Sequence, residues 1–446
     1  MNVRSEYQSK LRTAEEAVKL VKSGNWVDYG FGVTMPIELD KALAARKEEL
    51  TTINIRGMLL MRVPEVVKAD PLRETFYYNS WHFSGVDRDL YKQGLCDFIP
   101  MVYRNKPFYY RNHLHVDVAM IQVTPMDQHG YFNFSLTNSA TKAIVEAADR
   151  VILEVNENLP RALGGFEECI HISEVDYVVE GKNPPIATLP RGTSNDVNQQ
   201  IAALVVETLV DGSTIQLGIG ALPSAVGELI AQSDLKDLGC HTEMLVDAYL
   251  DMYKAGKLNN RKKTLNRGKA VWSFALGSQE LYDWINDNPF LASYPVNYVN
   301  DPSIIRQQNN MVAINNAVEV DLFGQISSES SGIHHISGTG GQLDYVTGAP
   351  AAEGGKAFIC LTSTYQDKKG EIHSRIVPTL NAGEIVTVPR SQSHYIVTEY
   401  GKVNLAGRST WERTELLISI AHPDFRESLI QEAETMKIWR KSNKKS

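Results

Sequence analysis

The 446-residue sequence is poor in cysteine, lacks long apolar runs and has no excess of positive charge. Its four cysteines, Cys96, Cys169, Cys240 and Cys360, stand far apart with no CxxC pair. That excludes a zinc ribbon and a dithiol redox motif, and scattered thiols suit a reducing compartment. No stretch approaches the ~20 apolar residues that cross a bilayer. The N-terminal MNVRSEYQSKLRTAEEAVKL has no apolar signal-peptide core. The expectation is a cytoplasmic protein with no membrane partner. The net charge of −8 leaves no basic footprint for nucleic acid. Two short basic clusters, Arg261-Lys262-Lys263 and Lys441 to Lys445, read as a solvated face and a frayed tail. A G-x-S-x-G elbow is missing, which weakens a serine-hydrolase reading.

What is present is an ordinary globular composition, 43% hydrophobic and 22% charged, on a chain longer than one core usually organises. Two domains are therefore the default. Strand-like runs alternate with helical stretches throughout, the pattern of an α/β protein with largely parallel sheets. Ala14 to Lys22 is amphipathic, Ser23-Gly24 turns, and Trp26 to Tyr29 reads as a strand. Gly30-Phe31-Gly32 then leads to a helix opened by Pro36. The order recurs: Val205 to Val210 reads as helix, Asp211-Gly212 turns, and Thr214 to Leu217 is a strand. Gly218-Ile219-Gly220 leads to a helix opened by Pro223. Further on, Asp127-x-x-Gly130 is matched by Asp321-x-x-Gly324. The glycine pairs are offset by 188 residues and the Asp-x-x-Gly pairs by 194. Two landmarks at nearly one shift imply a tandem duplication: two similar open α/β domains with mainly parallel sheets. The Pro-rich stretch Asn183 to Ser194 reads as their linker, giving domains 1–190 and 191–446.

Three segments carry candidate chemistry. In Ser213 to Pro223, Gly218 and Gly220 let backbone N–H groups approach a ligand oxygen at a helix start. A tight turn with no ligand is the plain alternative. A dinucleotide site is the rival, but Pro223 replaces the third glycine of GxGxxG. In Leu238-Gly-Cys240-His241-Thr-Glu243-Met244, a buried strand is expected to end in an acid just before a helix over Leu245 to Lys257. There Glu243 is either a helix N-terminal acid or a nucleophilic carboxylate. Cys240 and His241 read more simply as a buried thiol and a hydrogen-bonded core imidazole. Gly324 to Gly348 packs six glycines among small hydroxyl residues, a supply of exposed backbone N–H groups for an oxyanion. Neither His334-His335 nor His113-x-His115 has a spaced acid to complete a metal set, so no metal is expected.

Together these segments resemble the acetyl-CoA hydrolase/transferase family of class I CoA-transferases. The resemblance rests on Gly218-Ile-Gly220, His241-Thr-Glu243-Met244, Asn315-Asn-Ala-Val-Glu-Val-Asp321-Leu-Phe-Gly324 and Ser337-Gly-Thr-Gly340-Gly341-Gln-Leu-Asp344. Gly130-Tyr-Phe-Asn-Phe, Val155 to Arg161 and Ile420 to Arg426 extend it over essentially the whole chain. It implies that Glu243 is the catalytic glutamate, within the C-terminal domain. Gly340 and Gly341 are implied to hold the oxyanion, Asn315 to seat the CoA arm, and Gly218 with Gly220 to flank the site. The implied activity moves CoA between a short-chain acyl-CoA such as butyryl-CoA and acetate, ping-pong, through a glutamyl-CoA thioester. Transfer to 4-hydroxybutyrate, or hydrolysis of acetyl-CoA, are the alternatives. A nucleotide-binding or non-catalytic CoA-binding protein is a third reading. Coenzyme A enters as a substrate and no cofactor is implied. The implied partners are acyl-CoA, short-chain carboxylates and further copies of the chain in a homo-oligomer. Phe31, Met35, Trp81 and His82 are candidates for the acyl pocket, with core packing as the plain alternative for the aromatic side chains.

Overall fold

The computed structural model describes residues 2–218 and 220–440, so Ile219 of the Gly-x-Gly turn and the Lys441 to Lys445 tail lie outside the described residues. The strands in the first part of the chain are β1 (Trp26–Asp28), β2 (Ile53–Gly57), β3 (Phe76–Ser80), β4 (Asp97–Phe98), β5 (Val116–Val123), β6 (Ala148–Val155) and β7 (Tyr177–Glu180). Helix α1 (Glu38–Ala44) follows β1. Next come β8 (Thr214–Leu217), α2 (Ala221–Gln232), β9 (Gly239–Leu245), α3 (Asp247–Lys254), β10 (Ala270–Ala275) and β11 (Leu291–Ser293). Helix α4 (Val296–Val299), β12 (Met311–Asn316), α5 (Gln342–Gly348), β13 (Lys356–Cys360), β14 (Tyr395–Thr398) and β15 (Gly401–Asn404) complete the set used below. The chain folds as two compact units. The first holds residues 2–190, Thr242–Leu245 and Lys269–Asp301; the second holds Arg191–His241, Val246–Gly268 and 302–440.

In the first unit the sheet order is β4-β3-β2-β1-β5-β6-β7, parallel throughout. Seven of the eight residues of β5 are buried, because helices cover both faces of a parallel sheet and leave no solvated face to alternate with. Val27, Ile53, Ile55, Val118, Met120 and Ile152 meet Leu39 and Leu43 of α1 in one core cluster. The register sets Asp28 of β1 beside Arg56 of β2, and the two form a buried ion pair at 2.9 Å. Tyr110 Oη donates to the other Asp28 oxygen at 2.7 Å. Strands β10 and β11 pair in parallel in the same unit, Ala270 with Leu291.

In the second unit the order is β9-β8-β12-β13-β14-β15, parallel until the closing β14–β15 hairpin. Its core joins Met311, Ala313, Ile359 and Ile396 from the strands to Tyr345 and Val346 of α5. The run β9-β8-β12-β13-β14 repeats β2-β1-β5-β6-β7 in strand order, as a duplicated α/β plan requires. In each half a central strand comes first and the Gly-x-Gly sequence follows it.

Several local expectations need correction. Helix α1 begins at Glu38, after a 3-10 turn at Gly32–Thr34, so Pro36 stands outside it. The helix expected over Val205 to Val210 is Asp196–Val206, started earlier by Asn195, whose side chain accepts from Asn198 N. Lys263 is no part of a solvated face. It is buried, and its Nζ donates to Cys240 O at 2.7 Å, in space left by Gly239, where a side chain would meet the lysine stem.

Candidate active site

Glu243 lies inside β9 rather than at its end. The strand continues through Met244 to Leu245, and the acid in the first turn of α3 is Asp247. Its environment in the first unit is therefore set by side chains, not by a helix N-terminus. The Glu243 carboxylate is half-buried, and Asn300 Nδ2 donates to Oε2 at 2.5 Å. Asn300 is fully buried and caps the C-terminus of α4, its backbone N–H bonded to Val296 O at 2.9 Å. Helix α4 is tied in turn to Ser139, whose carbonyl accepts from Val296 N at 2.8 Å. Ser139 N donates to Ser273 O of β10 at 3.0 Å, and its hydroxyl shares a 2.5 Å hydrogen bond with Tyr103. Ser139 holds φ at +42°, a left-handed conformation that costs a non-glycine residue about 1–3 kcal/mol. Tyr103 is fully buried, and burial, then the charge of Glu243, push its phenol well above its ordinary pKa. It stays protonated beside the carboxylate. Neither Asn300, Tyr103 nor Ser139 was singled out by the sequence. Only Ser139 has a faint signal, the mostly polar and buried run from Asn133 to Thr141.

The other candidates belong to the second unit, at the carboxyl ends of β8 and β12, the usual ligand edge of a parallel sheet. Gly218 N donates to Ile314 O at 3.2 Å, one residue before Asn315. Asn315 Nδ2 donates to Gln216 Oε1 at 3.0 Å and Gln216 Nε2 to Asn315 Oδ1 at 3.3 Å, a reciprocal amide pair across the two strands. Gln342, next to Gly341, donates its Nε2 to Asn316 O at 2.6 Å. Thus Gly218, Asn315 and the Gly340-Gly341 loop are brought together. Gly340 has φ +52°, and Gly341 is the N-cap of α5, so both amides precede a helix start. Glu329 fastens the loop: its carbonyl accepts from Ile336 N and Ser337 N, and its carboxylate from Thr339 Oγ1 at 3.1 Å. Burial raises the pKa of that carboxyl. Gly220 is exposed, with φ +118° and nothing within 4 Å of where a Cβ would stand.

The remaining sequence candidates take quieter places. His241 is buried, with Nδ1 3.4 Å from Gln308 Nε2. Burial pushes the Cys240 thiol up to about 12, so it is no thiolate. Phe31, Met35 and Trp81 are buried in the first unit, with the Trp81 indole N–H on Tyr110 Oη at 3.1 Å, and His82 is half-buried. His115 does find acidic neighbours that spacing did not reveal. Pairing of Val116 with Ala148 puts Asp149 Oδ2 3.4 Å from its Nε2, with Asp117 Oδ1 at 3.2 Å. His115 and Asp149 are exposed. Among the described residues no helix is long and apolar enough to cross a membrane.

Residues 1–190 match the acetyl-CoA hydrolase/transferase N-terminal domain, and residues 277–433 match the C-terminal domain of the same family. Glu243 falls between the two matched ranges. The chain is 55% identical over 446 residues, all of both chains, to a butyryl-CoA:acetate CoA-transferase of Anaerostipes caccae. It is 42% identical to a 4-hydroxybutyrate coenzyme A transferase of Clostridium kluyveri, over 96% of this chain and 97% of that one. A crystal structure of RipA from Yersinia pestis superposes with a TM-score of 0.88 at 36% identity, covering 98% of this chain and 100% of that one.

Proposed function

The chain belongs to the acetyl-CoA hydrolase/transferase family and is a CoA-transferase, and from that premise we propose that it moves CoA between butyryl-CoA and acetate through a covalent thioester on Glu243. The observation that carries the substrate reading is the 55% identity, end to end, to a butyryl-CoA:acetate CoA-transferase. The nucleophile reading is supported by the Glu243 carboxylate being half-buried and aligned by a fully buried amide donor.

One Glu243 oxygen attacks the acyl carbonyl carbon, the C–S bond breaks, and a mixed anhydride and CoA thiolate result. The thiolate attacks the glutamyl carbon, a new C–S bond forms, and the acyl group leaves as its carboxylate. Acetate then attacks the glutamyl thioester, and the same steps in reverse order release acetyl-CoA and restore Glu243. Bonds balance without ATP, metal or a resident cofactor. In this reading the amides of Gly340 and Gly341 stabilise the oxyanion, Asn315 seats the CoA arm, and Gly218 and Gly220 flank the site. The enzyme works in the cytoplasm as a homo-oligomer.

Initial rates test the proposal. Double-reciprocal plots against butyryl-CoA at several acetate concentrations are expected to be parallel, with little free thiol when acetate is left out. Glu243→Asp withdraws the carboxylate by one methylene and is expected to lower kcat by about 10²-fold or more. Intersecting lines, or full activity in the Asp variant, contradict the mechanism. Rapid thiol release without acetate makes the enzyme a hydrolase instead.

A further inference from the structure

Ser139 stands in a conformation that most residue types avoid. Its φ of +42° lies in the left-handed region, where glycine is free of strain and a residue with a Cβ is not. The residue is buried, and each of its polar groups is used on a different element. Its N–H donates to Ser273 O of β10 at 3.0 Å. Its carbonyl accepts at 2.8 Å from Val296 N, the first amide of α4, which has no acceptor within that helix. Its hydroxyl meets Tyr103 Oη at 2.5 Å. Turning φ into its ordinary negative range swings the amide relative to the carbonyl, so that one of the two backbone bonds is lost. Bonds to three separate elements therefore hold the strain in place.

Both sides of this residue lead to Glu243. Through its backbone Ser139 sets α4 against β10, and the residue that follows α4 carries the amide bonded to the Glu243 carboxylate. Through its hydroxyl it sets Tyr103, whose ring also packs edge-on against Phe274 of β10, 6.3 Å between centres. Burial, then the charge of Glu243, keep that phenol protonated, so it remains a neutral dipole beside the carboxylate. Resting on the reading of Glu243 as nucleophile, we propose that Ser139 is a positioning residue that, paired with Tyr103, fixes the Glu243 carboxylate for attack on the acyl carbon. A glycine takes the same backbone conformation without strain, so what the serine adds is the hydroxyl that ties Tyr103 to α4 and β10. Glu243 is an anion at rest and carries no charge as anhydride or thioester. Surroundings that shifted with that charge would have to be rearranged in each half-reaction. Ser139 keeps Tyr103 and α4 in place through the cycle, and the carboxylate returns each time to the geometry of attack.

The test is the rate constant for CoA adduct formation on the full chain, read by rapid quenching and intact mass with butyryl-CoA and no acceptor. That constant belongs to the folded molecules, so a merely structural loss lowers the amount of adduct and leaves the constant alone. Ser139→Gly keeps both backbone bonds, relieves the strain and removes the hydroxyl. It is expected to fold and to charge roughly 10- to 10²-fold more slowly, with the half-saturating butyryl-CoA concentration nearly unchanged. Tyr103→Phe is expected to slow charging by a similar factor. Both changes break the same hydrogen bond, so the double variant is expected to be no slower than the slower single one. A rate constant within about twofold of wild type in either single variant, or losses that multiply in the double variant, overturns the proposal. Absence of an adduct on Glu243 in the wild type overturns the nucleophile reading itself, and this proposal with it.

Discussion

Lys106 is a fully buried amine in the first unit, its Nζ 3.5 Å from Met58 Sδ and 5.7 Å from the centre of the Trp81 ring. Burial, offset in part by Asp28 and reinforced by Arg56, lowers its pKa from 10.5 to about 8. Between those values the unfolded chain binds the proton and the folded one does not, so stability rises with pH across the window. Below pH 8 both states are protonated and the full cost, about 3 kcal/mol, is present. Lys106→Met is therefore expected to raise the denaturation midpoint at pH 7 and to lose that advantage toward pH 10.5. Urea unfolding of both proteins at the two pH values measures it, and an advantage independent of pH contradicts the assignment. Legibility at this scale was uneven. Glu243, Asn315 and the glycines could be read because they sit in short, dense motifs. Asn300 and Tyr103 could not, because each meets its partner across 57 or 36 positions of sequence that carry no local pattern.

At the scale of elements, Glu154 of β6 shows how a strand positions a distant helix. Its carboxylate accepts from Ile37 N, Glu38 N and Leu39 N, each at 2.9 Å, so it caps α1 from more than 110 residues away. Gln122 Nε2 adds a fourth bond at 3.0 Å. Glu154→Ala removes the acceptor from three backbone donors, one buried and two part-buried, and is expected to destabilise the fold by about 3 kcal/mol. Thermal unfolding checks this, and a change below about 0.5 kcal/mol, typical of a surface site, would contradict it. Element boundaries were legible where turn residues mark them: β8 spans the expected Thr214 to Leu217. They were missed where apolar residues continue past the marker, as in β9, because Met244 and Leu245 fit a strand end as well as a helix start. The paired glycines were legible as turns but not in their division of labour. In the first half Gly30 takes the positive φ, while Gly32 passes so close to Leu59 that a Cβ would stand 1.8 Å from its carbonyl oxygen. In the second half it is Gly220, the second of the pair, that takes the positive φ.

For the whole molecule, the repeated strand order explains why two offset landmarks in the sequence told of a duplicated α/β plan. The repeat is carried by backbone topology, which demands glycines at the same strand ends, while side chains between them are free to diverge. The chemistry has diverged most. The second unit carries the paired amides of Gln216 and Asn315 and the glycine loop, whereas the first sets Glu243 against Asn300 and near Tyr103, which Ser139 holds by its hydroxyl. The central claim is that this carboxylate becomes covalently attached to CoA during turnover. Intact mass of the whole chain after incubation with butyryl-CoA and no acceptor tests it most directly, followed by borohydride reduction and peptide mapping. A CoA-sized increase that disappears on adding acetate is expected, with the reduced residue mapping to Glu243. An unmodified mass alongside continued transfer of CoA to acetate, or an adduct that maps elsewhere, would contradict it.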